Sequence, residues 1–270
     1  MSEAALGALL RRDRVIVGAA LATLTVAAWL YLLHLASAMS ATAMPGMPAM
    51  PGMAMAMPAW HAWGWVEVGA LVVMWGVMMI AMMTPAAAPM ILMFSTIHRR
   101  RTAEGRPAVP TAIFVLGYLV VWTIYSVVAA LAQAGLHAAA LLSPAMAATS
   151  PLLAGGLLVA AGVFQWTPLK RACLAACRSP LSFLMTGWRE GRVGAVVMGL
   201  RHGLYCLGCC WALMALLFVA GVMNLLWVAA IAVAVLVEKV VPHGDLVGRL
   251  AGVALVAAGV LLVARAAVTG

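Results

Sequence analysis

The chain has 270 residues, of which 66% are hydrophobic and only 9% charged, with a formal charge of +9. A soluble domain carries about 25% charged residues, so a chain this apolar has no water-facing shell and belongs in a lipid bilayer. The positive charge does not signal nucleic-acid binding. The basic residues bracket apolar runs instead of forming one basic, aromatic-laced patch.

Spans of about 20 apolar residues mark transmembrane helices. Seven are read in chain order: Val15–Ala36, Trp63–Met83, Val109–Gln133, Leu152–Phe164, Val193–Val219, Met223–Val237 and Leu246–Val263. The expected fold is therefore all-α, a polytopic transmembrane helical bundle of about seven helices, with six to eight fitting the same pattern. The whole of 1–270 is read as one transmembrane domain. Placing the N-terminus in the cytoplasm puts every Lys and Arg except Arg265 on the inner side, the asymmetry that sets topology in a bacterial inner membrane. The start also resembles a secretory signal, with Arg11–Arg14, an apolar run and Ala36-Ser37-Ala38. The run is long for a signal, so a retained helix is expected.

The first connection, 37–60, is a Met/Pro-rich extracytoplasmic loop, MPGMPAMPGMAMAMP at its heart. Its prolines and glycines forbid helix and favour a polyproline-like backbone of three residues per turn, which lines Met44, Met47, Met50 and Met53 along one side. Thioethers are neutral soft ligands that select Cu(I). The alternative is a low-complexity linker. Met55, Met57 and His61 follow, and Trp60, Trp63 and Trp65 form an aromatic anchor at the outer surface.

The second span opens with Glu67, an ionisable group within an apolar run and so a candidate for function. Glu67, Leu71, Met74, Met78 and Met82 fall within an arc of about 80°, along roughly 22 Å of helix, with Met79 and Met83 flanking them. The stripe offers a path for a soft cation; the plainer reading is adaptable packing by methionine. This helix is expected to kink at Thr84-Pro85 and continue through Met90 and Phe94 to His98.

All five cysteines map to the inner half, where thiols stay reduced. Cys173 and Cys177 are one turn apart on a short cytoplasmic amphipathic segment within 166–190. His202, Cys206, Cys209 and Cys210 lie within an arc of about 100° on the fifth span. That set suits Cu(I) or Zn(II). His202 and Cys210 are about 12 Å apart along the axis, so the expected site joins two elements: Cys206 with Cys209 or Cys210, closed by Cys173 and Cys177 or by His202. Simple burial of small apolar thiols is the alternative. Glu238 and Lys239 are read as an ion pair, and Asn224 as a corner cap.

The segments WGVMMIAMMTPAAAPM, FQWTPLKRACLAACRSP and GLRHGLYCLGCCWALMALLFVAGVMNLLW, followed by VEK, resemble a bacterial family labelled predicted metal-binding integral membrane proteins, of uncharacterised function. The AMMxP and CxGCCW motifs carry the resemblance, over most of 60–240. It implies metal binding through Met78, Met79, Met82, Met83, Cys173, Cys177, Cys206, Cys209 and Cys210, and implies no activity. The functional expectation is a multi-pass membrane protein that handles or translocates copper, as Cu(I), between an outer Met/His site and an inner Cys site. Zinc is the alternative metal. Haem is not expected, because the six histidines split three to each side. No nucleotide-binding GxxxxGK[ST] motif is present, so transport would not be powered by ATP on this chain. No catalytic residue is assigned, and a role other than an enzyme's is the first expectation. The partners expected are the bilayer, the metal ion, and a metal chaperone or other membrane subunits. The competing function is an accessory, structural or metal-carrying subunit of a larger oxidase or monooxygenase complex.

Overall fold

The computed structural model describes residues 3–42, 64–143 and 146–269, and these are helical throughout apart from turns and one isolated bridge between Leu142 and Ala148. In chain order the elements are α1 (Glu3–Thr42), α2 (Trp65–Ala103), α3 (Thr111–Ala138), α4 (Pro151–Phe164), α5 (Pro168–Arg178), α6 (Pro180–Gly187), α7 (Gly191–Ala215), α8 (Leu217–Ala220), α9 (Leu225–Val240) and α10 (Gly244–Thr269). Met44, Met47, Met50, Met53, Met55, Met57, Trp60, His61 and Trp63 lie outside the described residues.

Local signals set the helix starts. Pro151, Pro168 and Pro180 each stand in the first turn, where the missing N–H has no partner to lose. The Ser150 and Thr167 hydroxyls accept from the backbone N–H of Leu153 and Lys170, at 3.4 and 3.3 Å. Asn224 is the cap anticipated from its position: its side-chain oxygen accepts from Trp227 N at 3.2 Å, after Gly221 has turned the chain with a φ of +97°.

Among the described residues, five helical stretches are long and apolar enough to cross a membrane: Arg12–Ala38, Trp65–Ala103, Thr111–Ala138, Gly191–Ala220 and Gly244–Val268. The protein is thus an all-α, multi-pass bundle. The other two apolar segments form shorter helices than a simple crossing needs. The fourth ends at Phe164 and turns by 63° into α5, because Pro168 cannot extend the ladder backward. The sixth, α9, has 16 residues, about 24 Å of rise against a hydrocarbon core of about 30 Å. The second span runs 39 residues without interruption, with Pro85 and Pro89 inside it. It therefore passes the expected bend and carries His98 and Arg99–Arg101 as its inner end.

Without water between them, membrane helices gain little from apolar burial and associate through close packing instead. Small residues allow it here. The chain pairs α3 with α7, α4 with α10, and α1 with α2. A Cβ on Gly203 of α7 would sit 2.9 Å from Val121 of α3, and one on Gly259 of α10 would sit 2.6 Å from the Gly155 carbonyl of α4. These contacts let the backbones nearly touch. They fix how far α7 is rotated, and therefore which way its cysteines face. Large apolar side chains such as Leu30, Leu116, Ile124 and Leu261 are left exposed on the periphery, as a lipid-facing surface requires.

Candidate metal centre

The α7 face carrying Cys206, Cys209 and Cys210 points into the bundle, and all three are at most 1% exposed. Neighbouring helices bring further groups to it. The α4–α5 bend swings α5 across α7, so that Cys177 comes into contact with Cys206 and Cys209. Cys173 packs beside them against Gly208, where a Cβ would lie 2.7 Å from its sulphur. From α2, Met83 places its thioether 3.8 Å from the Cys210 sulphur. From α3, the Tyr118 hydroxyl donates to the Met83 carbonyl (3.2 Å) and lies 3.3 Å from the Cys206 sulphur.

The remaining neighbour is a cation. Lys239 of α9 points its ammonium at the Cys206 sulphur, donating at 2.9 Å in a buried position. This corrects the expectation that Glu238 and Lys239 pair with each other. Adjacent residues on a helix point about 100° apart, and Glu238 faces Lys170 instead, at 2.6 Å. Gln165 also accepts from the Lys170 ammonium, and Arg178 donates to the Glu238 carbonyl at 2.8 Å. The two lysines thus have separate partners, one a carboxylate and the other a thiol.

The thiols are closed on themselves. Cys210 and Cys209 turn their sulphurs toward the Cys206 carbonyl, at 2.8 and 3.1 Å. Among the described residues, no group of three or more His, Cys, Asp or Glu side chains is arranged to hold a metal ion. The donors that gather here are a set of thiols with one thioether. Soft sulphur ligands of this kind suit Cu(I) or Zn(II).

The other expected residues fall elsewhere. His202 is buried one turn before Cys206, in an aromatic slot. Its ring stacks with Tyr118 and Phe114 (centroids 5.5 and 6.2 Å) and meets Phe183 edge-on. Both of its ring nitrogens lack a hydrogen-bond partner. Met74, Met78, Met79 and Met82 are all buried along α2, and the thioether of Met83 meets Cys210. Glu67 is exposed in the first turn of α2, where the helix dipole favours an acid. It lies about 24 Å along the axis from Met83. His98 pins the following loop, its ring accepting from Val109 N at 2.6 Å.

Sequence reasoning missed Lys239, Tyr118 and the Lys170–Glu238–Gln165 group. The signal was present in Glu238-Lys239 itself, since two ionisable residues at the end of an apolar helix ask for buried partners. Which partners they take depends on α5 and α7.

Residues 72–262 match the model of the PpoB2 family, described as a copper chaperone, and the chain belongs to that family. None of the curated proteins and none of the solved structures matches.

Proposed function

We propose that this protein handles Cu(I) as cargo within the bacterial inner membrane. The inner receiver is the sulphur cluster of Cys206, Cys209, Cys210 and Cys177, with Met83 as a thioether and Cys173 and His202 as adjacent donors. The outer collector is the Met44/Met47/Met50/Met53 loop with His61, and Glu67 with the Met74–Met83 stripe joins the two. The N-terminus is cytoplasmic in this reading. Release of the ion requires an acceptor, either a soluble metal chaperone or a neighbouring membrane subunit.

One observation carries the reading: a half-buried thiol from α5, the buried thiols of α7 and a buried thioether from α2 come together inside the bundle. Lys239 adds to it. A Cu(I) ion held by two thiolates has a net charge of −1, and the ammonium beside Cys206 cancels that charge in a low-dielectric site. Zn(II), which takes four ligands in a tetrahedral array, is the alternative metal for the four thiols.

The test is copper content by elemental mass spectrometry. Detergent-purified protein is loaded anaerobically with Cu(I), wild type beside the Cys206→Ser/Cys209→Ser/Cys210→Ser variant. Wild type should retain stoichiometric copper and the variant should lose it, with both eluting as folded protein. Equal copper in the two removes the inner site. A stable co-purifying oxidase or monooxygenase would instead support the accessory-subunit function.

A further inference from the structure

A second cavity, of about 360 Å³, lies where the α4–α5 bend meets α10, away from the sulphur cluster. Its wall is cationic: Lys170, Arg171, Arg178 and Arg249 line it, against the single carboxylate of Asp245. Two of these charges are balanced. Lys170 is paired with Glu238, and Arg249 approaches Asp245 at 3.8 Å in an exposed pair. The two that remain are Arg171 and Arg178. Arg178 spends its donors on the carbonyls of Glu238 and Pro242, which hold the guanidinium in place without neutralising it.

A second observation points to an occupant. Gln165 lines the same cavity and is 3% exposed, yet its amide nitrogen has no hydrogen-bond partner. Its oxygen already accepts from Lys170, so the amide orientation is set and the nitrogen is a committed donor. A buried donor left unmade costs roughly 1–3 kcal/mol, a cost that an acceptor in the cavity would remove once a small shift of the side chain exposed the nitrogen to it. The first two turns of α10, with Asp245, Gly248 and Arg249 on the wall, add the positive end of a long helix dipole.

We propose that this cavity binds a phosphate-bearing anion. The group would be held by Arg171 and Arg249, with Arg178 adding uncancelled positive charge and the Gln165 amide behind them. Planar guanidinium groups match phosphate oxygens in pairs. Two sources share this chemistry: the headgroup of an anionic phospholipid, which inner-end Lys and Arg clusters attract, and free inorganic phosphate. The site is independent of copper handling, since none of its lining residues belongs to the sulphur cluster.

The experiment measures thermal unfolding of the full-length protein in a neutral detergent. It is titrated with inorganic phosphate, with phosphatidylglycerol or with phosphatidylcholine, each at matched ionic strength. A ligand that binds only the folded state raises its stability with concentration. The comparison uses two variants at exposed positions: Arg171→Gln/Arg249→Gln, and Ala175→Glu, which places a carboxylate on the cavity wall. Saturable stabilisation of wild type by phosphate supports the site with a free anion as ligand. Stabilisation by phosphatidylglycerol alone supports it with a lipid headgroup. In either case half-saturation should shift upward by about tenfold or more in both variants, while untreated unfolding stays near wild type. Absence of stabilisation by either probe, an equal response to phosphatidylcholine, or identical titrations in wild type and both variants overturns the proposal.

Discussion

Replacing Lys239 by Met removes the ammonium while keeping an unbranched, helix-compatible side chain of similar reach. In the structure that ammonium lies 2.9 Å from the Cys206 sulphur and is 8% exposed. At an effective dielectric of about 20, a full charge pair at this distance attracts by about 6 kcal/mol. Desolvation of both ions offsets much of that. Experience with buried pairs puts the cost of deleting one partner at about 3–5 kcal/mol. The cost appears where Cys206 is a thiolate, and metal binding requires the thiolate. The variant should therefore bind Cu(I) about two to three powers of ten more weakly, as 1.4 kcal/mol is tenfold in affinity. The free protein should be no less stable, since a buried ammonium without a carboxylate has been removed. Anaerobic competition against a chromogenic Cu(I) chelator gives the affinity, and thermal unfolding of the metal-free protein gives the control. Lys239→Arg keeps the charge and should recover most of the lost binding. Copper affinity within threefold of wild type in Lys239→Met would refute the charge-balance argument.

Two further predictions concern the scaffold of the site. In Gly208→Ala the new Cβ would lie 2.7 Å from the Cys173 sulphur, so that sulphur must rotate away or α5 shift from α7, at a cost of about 1–3 kcal/mol. Thermal unfolding should show the loss, and adding Cys173→Ala should restore most of it; an unaffected single variant contradicts the contact. Lys170→Met leaves Glu238 buried without its partner and should destabilise the protein by about 3–5 kcal/mol, whereas Lys170→Met/Glu238→Leu should return close to wild type. Equal stability of the single and double variants would show that the pair is not coupled.

Much of this molecule could be read from local sequence, and the reason is that the relevant information is periodic. Apolar runs of bilayer length identified the five long helices, and Asn224 after Gly221 marked a corner. A spacing of three and four residues put Cys206, Cys209 and Cys210 on one face. Each of these depends only on residues within a turn or two of each other. Composition likewise placed the chain in a membrane, and sulphur chemistry pointed to a soft metal before the family match supplied copper.

What lay beyond the sequence was how those faces turn toward one another. Met83 meets Cys210 because of how α2 is rotated against its neighbours, which the spacing of its methionines does not encode. Cys177 reaches Cys206 because the chain bends by 63° before α5, an angle no periodicity encodes. His202 shares the cysteine face yet enters an aromatic slot built by Phe114, Tyr118 and Phe183 from two other helices. Lys239 finds a thiol and Glu238 finds Lys170, although the two are neighbours in sequence. A helix determines the angle between its own side chains; the depth and rotation at which it meets another helix come from contacts, such as Gly203 against Val121, between residues far apart in the chain. The sequence by itself therefore determined the elements and their chemistry, and the tertiary structure alone decided which of those chemical groups meet.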